Sequence, residues 1–283
     1  MPLTRPSSHT IAHSGGPVRL VQLTDTHLCK LQGGTLLGMD TDHSLQSVID
    51  LVKVERPTID LLLGTGDLSD QGALEAYRRL QEYFAQLTDD NCWLPGNHDD
   101  RANMESVADR PLRLAREIRL GRWQVLMLDS QVPGEVGGEL GPAELALLED
   151  ALEAAAEENL YSLVCLHHQP VKIGCEWLDE QMVADAADFF AVLDRFPLVR
   201  GVLWGHVHQQ VDQYRGAVRL MASPSTCVQF APGSADFKAD PAAPGYRWLE
   251  LNEDGSLDSG VSRVQGISFK VDLGRGGYLH PSL

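Results

Sequence analysis

Five short motifs in this 283-residue chain gather side chains that bind cations or move protons: Asp25-Thr26-His27, Gly66-Asp67-Leu68-Ser69-Asp70, Gly96-Asn97-His98-Asp99-Asp100, His167-His168 and Gly205-His206-Val207-His208. Six of the ten histidines lie within them, so imidazole is concentrated where carboxylates already stand. Carboxylate, amide and imidazole groups are ligands for a borderline-hard divalent or trivalent metal, and no thiolate inside the motifs calls for zinc or copper(I). Asp25 and His27 are two residues apart, as are His206 and His208. In extended chain such pairs project from one face about 6–7 Å apart, which suits ligands shared between two metals about 3.5–4 Å from each other. Any one of these residues, taken singly, is more often a cap, a turn residue or a core histidine. The metal reading rests on five motifs coinciding.

The motifs must be positioned by the elements around them. Short apolar runs end at or just before each one: 18–25, 60–67, 92–97, 161–167 and 199–206, with further runs at 123–129, 218–223 and 246–252. Their length is that of buried strands. Helical stretches separate them. His43–Glu55 follows Thr41-Asp42 as its cap, Ala73–Leu87 carries Leu74, Tyr77, Leu80 and Phe84 at helical spacing, Pro142–Asn159 opens with proline in the first turn, and Gln181–Arg195 stops before Pro197. Strand and helix alternation predicts an α/β fold with sheets buried between helices. The short links between 199 and 252 predict antiparallel pairing there. In such sheets ligands bind beyond the carboxyl ends of the strands, so the five motifs are expected to converge.

Composition narrows the partners. With 23 Lys+Arg against 40 Asp+Glu the net charge is −17, which leaves no basic footprint for nucleic acid or an anionic membrane. An anionic substrate must then be met by concentrated local positive charge. Five cysteines, at 29, 92, 165, 175 and 227, include no C-x-x-C pair; their odd number argues against a disulfide framework and a thiolate zinc site. The N-terminus lacks the apolar core of a signal peptide and no apolar run approaches the roughly 18 residues of a membrane span, so a cytoplasmic protein is expected. Residues 1–17 read as a flexible lead-in, 18–252 as one catalytic domain, and 253–283 as a C-terminal extension packed on the core or at an interface. His9, His13, His43 and His280 read as surface or local-capping residues, His168 as structural, Asp99 and Asp100 as helix caps or supporting residues, and Cys29 as an ordinary loop thiol.

In this order and at this spacing, D-x-H, G-D-x-x-D, G-N-H-D, H and G-H-x-H resemble the calcineurin-like metallophosphoesterase superfamily over about residues 18–210. The GNHD block, Leu166-His167-His168-Gln169-Pro170 and Gly38-Met39-Asp40-Thr41-Asp42-His43-Ser44-Leu45 are similar to the bacterial class III cyclic-AMP phosphodiesterases. The resemblance implies a four-layer α/β/β/α sandwich of two mixed sheets flanked by helices. It implies two metal ions per chain, manganese, ferrous or ferric iron, or other divalent ions: Asp25, His27, Asp67 and His208 hold one, Asp67, Asn97, His167 and His206 the other, with Asp67 bridging. His98 is implied as the catalytic group facing the phosphate, with Asp70 orienting it. His27, Asp67, Asn97, His98 and His208 are implied to face the substrate. The implied reaction is hydrolysis of 3′,5′-cyclic AMP to 5′-AMP by in-line attack of a metal-bridging hydroxide. Base contacts are expected from loops 28–42, 131–141 and 168–180, and a homodimer is expected from the family. The same core would serve another small phosphodiester, a phosphomonoester or a nucleotide pyrophosphate, because it recognises the phosphoryl group. A non-catalytic binding protein with this fold is the reading from another class.

Overall fold

The structure, a computed structural model, describes residues 8–277; His280, the first seven residues of the lead-in and the end of the C-terminal extension lie outside the described residues. The strands are β1 (His9–Ile11), β2 (Val18–Leu23), β3 (Leu61–Thr65), β4 (Asn91–Leu94), β5 (Glu117–Leu120), β6 (Trp123–Met127), β7 (Tyr161–Cys165), β8 (Val199–Trp204), β9 (Val211–Arg215), β10 (Val218–Ala222), β11 (Gly245–Leu251) and β12 (Leu257–Arg263), with shorter two-residue pairings in the loops. The principal helices are α1 (Thr41–Glu55), α2 (Leu74–Ala85), α3 (Arg101–Val107), α4 (Gly141–Glu157) and α5 (Ala186–Leu193). One sheet runs β1-β5-β6-β7-β8-β10-β9 and the other β12-β11-β2-β3-β4.

Helical crossovers force parallel neighbours. α1 and α2 link β2, β3 and β4, which pair in parallel, and α4 and α5 link β6, β7 and β8, which do the same. The late chain is antiparallel where β9 meets β10 and where β11 meets β12 and β2. β8 and β10, however, are parallel neighbours, because β9 folds back outside β10 at the sheet edge.

Alternation of side chains along the inner strands separates three cores. Leu20, Leu61, Leu63, Cys92 and Leu94 of one sheet meet Val125, Met127, Leu163, Cys165, Leu203 and Met221 of the other. Their neighbours Val21, Leu23, Leu62 and Trp93 face outward onto Val48 and Val52 of α1 and Tyr77, Leu80 and Phe84 of α2. Leu126, Val164, Val202 and Trp204 face Leu148, Leu152, Phe189 and Leu193 of α4 and α5. The layers are therefore helix, sheet, sheet, helix. Each fully buried leucine contributes about 1.5–3 kcal/mol of hydrophobic stabilisation, so a shift of strand register by one residue would exchange two cores at once.

Three local expectations change. α1 begins at Thr41 and is capped by Asp40, whose carboxylate accepts the His43 N–H at 2.9 Å. Asp42 instead turns inward, accepting from Gly33 N, Arg79 Nε and the Tyr83 hydroxyl; Arg79 also donates to the carbonyls of Cys29 and Lys30, pinning the loop after His27. The stretch expected as one helix over Gln181–Arg195 is irregular over its first five residues and helical only from Ala186, in α5, after a separate one-turn helix at Glu176–Asp179. Between them the Asp185 carboxylate accepts the N–H groups of Leu140 and Gly141 at the start of α4. Residues 9–11, in the expected flexible lead-in, pair in parallel with β5 because Ile11 packs on the inter-sheet core.

Candidate metal centre

All five motifs lie where the parallel strands end: Asp25 after β2, Asp67 after β3, Asn97 and His98 after β4, His167 after β7, and His206 and His208 after β8. The backbone there is not extended. Asp25, His27, Asp67, His206 and His208 all have positive φ, between 43° and 64°. That region costs an L-residue roughly 1–2 kcal/mol, and persists only where surrounding structure over-determines it. Here the turns are tied to one another: Asp25 N donates to Gly66 O at 3.0 Å, His27 N to Asp67 O at 2.9 Å, and His206 N to Asp25 Oδ1 at 3.0 Å. The i, i+2 pairs converge through left-handed turns rather than by strand alternation. Glycine is required where loops cross, since a Cβ on Gly96 would run into the Asp67 carboxylate and one on Gly205 into Thr24 and Asp25.

The result is a buried cluster of charge. Asp25, His27 and His167 are fully inaccessible, and Asp67, His206 and His208 nearly so. His208 Nε2 lies 3.3 Å from Asp25 Oδ1 and 3.3 Å from His27 Nε2. Asp67 Oδ2 lies 3.3 Å from His167 Nε2 and 3.8 Å from His27 Nε2. Ligand atoms of Asp25, His27 and His208, of Asp25, Asp67 and His167, and of His167, His168 and His206 lie within 4.8 Å of one another in each group. Among the described residues, Asn97 Oδ1 is closed off from solvent with no hydrogen-bond donor on it. Buried charges are stable when paired or bound to a metal, and this oxygen and nitrogen set suits a metal site.

Hydrogen bonds on the far side of each ring decide which nitrogen faces inward. A carbonyl or amide oxygen only accepts, so the ring atom against it carries the proton. His167 Nδ1 donates to Thr65 O at 2.8 Å and His208 Nδ1 to Val228 O at 2.6 Å, leaving Nε2 inward in both. His208 also stacks on Phe230, with centroids 4.0 Å apart. His206 is reversed: its Nε2 donates to Gln181 Oε1 at 3.0 Å. His168 has both nitrogens engaged away from the centre, by the Ser130 hydroxyl at 2.8 Å and Val136 O at 3.1 Å.

His98 Nδ1 donates to the backbone carbonyl of Asp70 at 2.8 Å, while the Asp70 carboxylate lies 4.0 Å away. That carboxylate is nearer His27 Nδ1, at 3.4 Å. The expected orientation of His98 by Asp70 is thus made by the main chain, and the side chain faces His27. Burial pushes the His98 imidazolium down, but Asp67 and both groups of Asp70 outweigh it and raise its pKa above 6.5. Asp67 is likewise pushed up by burial and pulled well below 3.8 by His167 and His98.

Asp100 caps α3 by accepting the Asn103 N–H at 2.8 Å. Asp99 does more. Its carboxylate accepts the N–H groups of Leu68, Ser69 and Gly96 and the Tyr77 hydroxyl, joining the loop that carries Asp67 to the loop that carries Asn97 and His98. Asp99→Ala leaves four buried donors without an acceptor, at about 1–3 kcal/mol for each that water cannot reach. A loss on the order of 4 kcal/mol of unfolding free energy, measured by denaturant titration, is expected; a loss below about 1 kcal/mol would show that the two loops hold without it. Sequence reasoning missed Gln181, Thr65 O, Val228 O and Tyr77, since a glutamine or a carbonyl carries no motif and each is brought in from a different element.

Comparison with known proteins agrees with this architecture. The calcineurin-like phosphoesterase family model matches residues 18–210. The chain is 46% identical over 271 residues to the 3′,5′-cyclic adenosine monophosphate phosphodiesterase CpdA of Pseudomonas aeruginosa, covering 94% of this chain and 99% of that one. It is 40% identical over 263 residues to the protein of the same name from Escherichia coli K12, covering 92% and 95%. Among solved structures, purple acid phosphatase PPD1 from yellow lupin superposes with a TM-score of 0.66 at 11% identity, over 90% of this chain and 53% of that one. A dimetal phosphatase from Danio rerio gives 0.58 at 14% identity, over 89% and 100%. At those identities the two structures speak for the fold alone. With the five motifs converging at the strand ends of a helix, sheet, sheet, helix sandwich and the family model covering residues 18–210, the chain belongs to the calcineurin-like phosphoesterase family.

Proposed function

We propose that the protein hydrolyses 3′,5′-cyclic AMP to 5′-AMP with two metal ions per chain. The observation that carries the chemistry is the position of Asp67, one of whose oxygens stands 3.3 Å from His167 Nε2 and 3.8 Å from His27 Nε2, between two groups of buried ligands. The choice of cyclic AMP is supported by relatives of that name at 40–46% identity over nearly the whole chain. In this reading Asp25, His27, Asp67 and His208 hold one ion and Asp67, Asn97, His167 and His206 the other. When bound, the pair supplies Lewis acidity toward the phosphate and an activated water. Manganese and iron suit a set of nitrogen and oxygen ligands without thiolate. Five free thiols, four of them buried, support a reducing compartment such as the cytoplasm.

The reaction adds water across the P–O3′ bond: phosphorus gains a hydroxyl, and the 3′ oxygen leaves with a proton. His98 is the proton donor. Its Nδ1–H is held by the Asp70 carbonyl, and Asp67 and Asp70 raise its pKa in the metal-free protein, in the direction a proton donor needs. The turns bearing Asp25, Asp67 and His206 are cross-bonded, so the ligands are placed before substrate arrives and little reorganisation accompanies the reaction.

His167 gives the metal step a pH signature. Burial lowers its pKa, but Asp67 at 3.3 Å and Asp25 outweigh burial and hold it at about 9. In metal-free protein the ring is therefore protonated at neutral pH, and an ion must displace that proton. Mn2+ affinity is expected to rise about tenfold per pH unit from pH 7 toward 9 and then level, with proton release measured by titration in buffers of different ionisation enthalpy. A pH-independent affinity over that range would remove His167 from the ligand set.

The reading is tested by assaying cyclic AMP, cyclic GMP, a 2′,3′-cyclic nucleotide, a glycerophosphodiester and a phosphomonoester with Mn2+ after chelation. Cyclic AMP is expected to have the highest kcat/KM. Turnover of another ester without turnover of cyclic AMP would overturn the substrate while leaving the family untouched.

A further inference from the structure

Four histidines are placed as ligands, and they are held in three different ways. His167 and His208 donate to main-chain carbonyls of Thr65 and Val228, groups that cannot rotate away. His27 faces the Asp70 carboxylate, within the loop that follows β3. His206 alone among these four is oriented by an uncharged side chain, the Gln181 amide, at 3.0 Å. That amide stands on the irregular stretch 180–185, outside the strand framework.

We propose that Gln181 is a positioning residue: its Oε1 holds His206 in the Nε2–H tautomer, so that the cation position shared by His167 and His206 depends on the rim of the site. The inference rests on the metal reading above. The rim acts as one unit. Ala184 N donates to Gly138 O at 2.7 Å and Val183 N to Gln169 O at 3.0 Å, tying 180–185 to the 130–140 loop and to the segment after His168. Gly138 packs directly against the His168 ring, which Ser130 and Val136 clamp. A displacement of this rim therefore reaches His206 through the Gln181 amide and the His168 ring, whose centroid lies 4.7 Å from that of His206, whereas His167 and His208 keep their carbonyl partners. The second partner of a ligating imidazole is worth about 10–100-fold in metal affinity. The tautomer also explains why His206 presents Nδ1 while its neighbour presents Nε2.

The test uses the full chain stripped of metal and titrated calorimetrically with Mn2+, alongside two-bond 1H–15N spectra of the histidine rings. The wild type is expected to take up two ions and to show a His206 ring in the Nε2–H form. Gln181→Leu is expected to weaken one ion by about 10–100-fold, leave the other within about threefold, and give a mixed tautomer at His206. Gln181→Glu, which keeps an acceptor, is expected to restore both. Two unchanged affinities in Gln181→Leu, equal weakening of both, or Gln181→Glu behaving like Gln181→Leu would each overturn the proposal and leave the metal reading standing. Wild-type protein that takes up no Mn2+ would overturn the metal reading and this proposal with it.

Discussion

Substituting His98 by alanine lowers kcat toward cyclic AMP by about 10²–10⁴-fold while leaving metal content unchanged. The expectation follows from what the ring touches. His98 sits on the turn after β4, with its backbone N–H on Asp67 Oδ1 at 2.9 Å and its Nδ1 on the Asp70 carbonyl. The ring removed by the substitution is therefore not what positions the Asp67 carboxylate; the backbone N–H that does so survives. In the metal-free protein its pKa is raised because Asp67 and Asp70 outweigh burial, which favours the protonated form that a proton donor needs. The sign is fixed by the role: a group that must give a proton loses activity as pH rises through its pKa. Wild-type kcat/KM is expected to fall on the alkaline side as the donor loses its proton, and His98→Ala is expected to lack that limb. Loss of both ions in the variant, or an unchanged alkaline limb, would assign His98 to the ligand set or remove it from proton transfer.

Asp67→Asn is expected to have the larger effect, a fall in turnover of 10³-fold or more together with loss of metal. The amide is nearly isosteric, so the loops that meet at Gly96 need not move. What disappears is a negative charge set among His167, His98 and His27, which together pull the carboxylate pKa well below 3.8 against its burial. Without it both groups of ligands lose a member at once. Metal content measured after dialysis against Mn2+ is expected to fall below one ion per chain, against two for the wild type. Retention of two tightly held ions would show that Asp67 does not join the groups.

The types of chemistry were legible in the sequence, because carboxylate, amide and imidazole at the ends of apolar runs can be recognised without coordinates. The layers were legible only through the resemblance that the motifs carry: Leu61, Leu62 and Leu63 read simply as a buried strand, and the structure divides them between two cores. The turns were not legible. Asp25 and His27 read as an extended pair, yet both occupy the left-handed region, and that conformation is imposed by hydrogen bonds from β3 and β8 loops that are distant in the chain. Gln181 read as the first residue of a helix; the pairing of Val183 and Ala184 with residues elsewhere withdrew it into the rim.

Local sequence by itself determined most of the strands and helices that carry the motifs and which atoms are available as donors and ligands, since propensity, alternation and side-chain chemistry act over a few residues. Only the tertiary structure decided which nitrogen of each imidazole faces the centre and which carboxylate faces which ring. Those choices depend on partners 102 residues away for His167, 25 for His206 and 20 for His208. A hydrogen bond acts over about 3 Å, and chain separation says nothing about distance until the sheets have closed on each other.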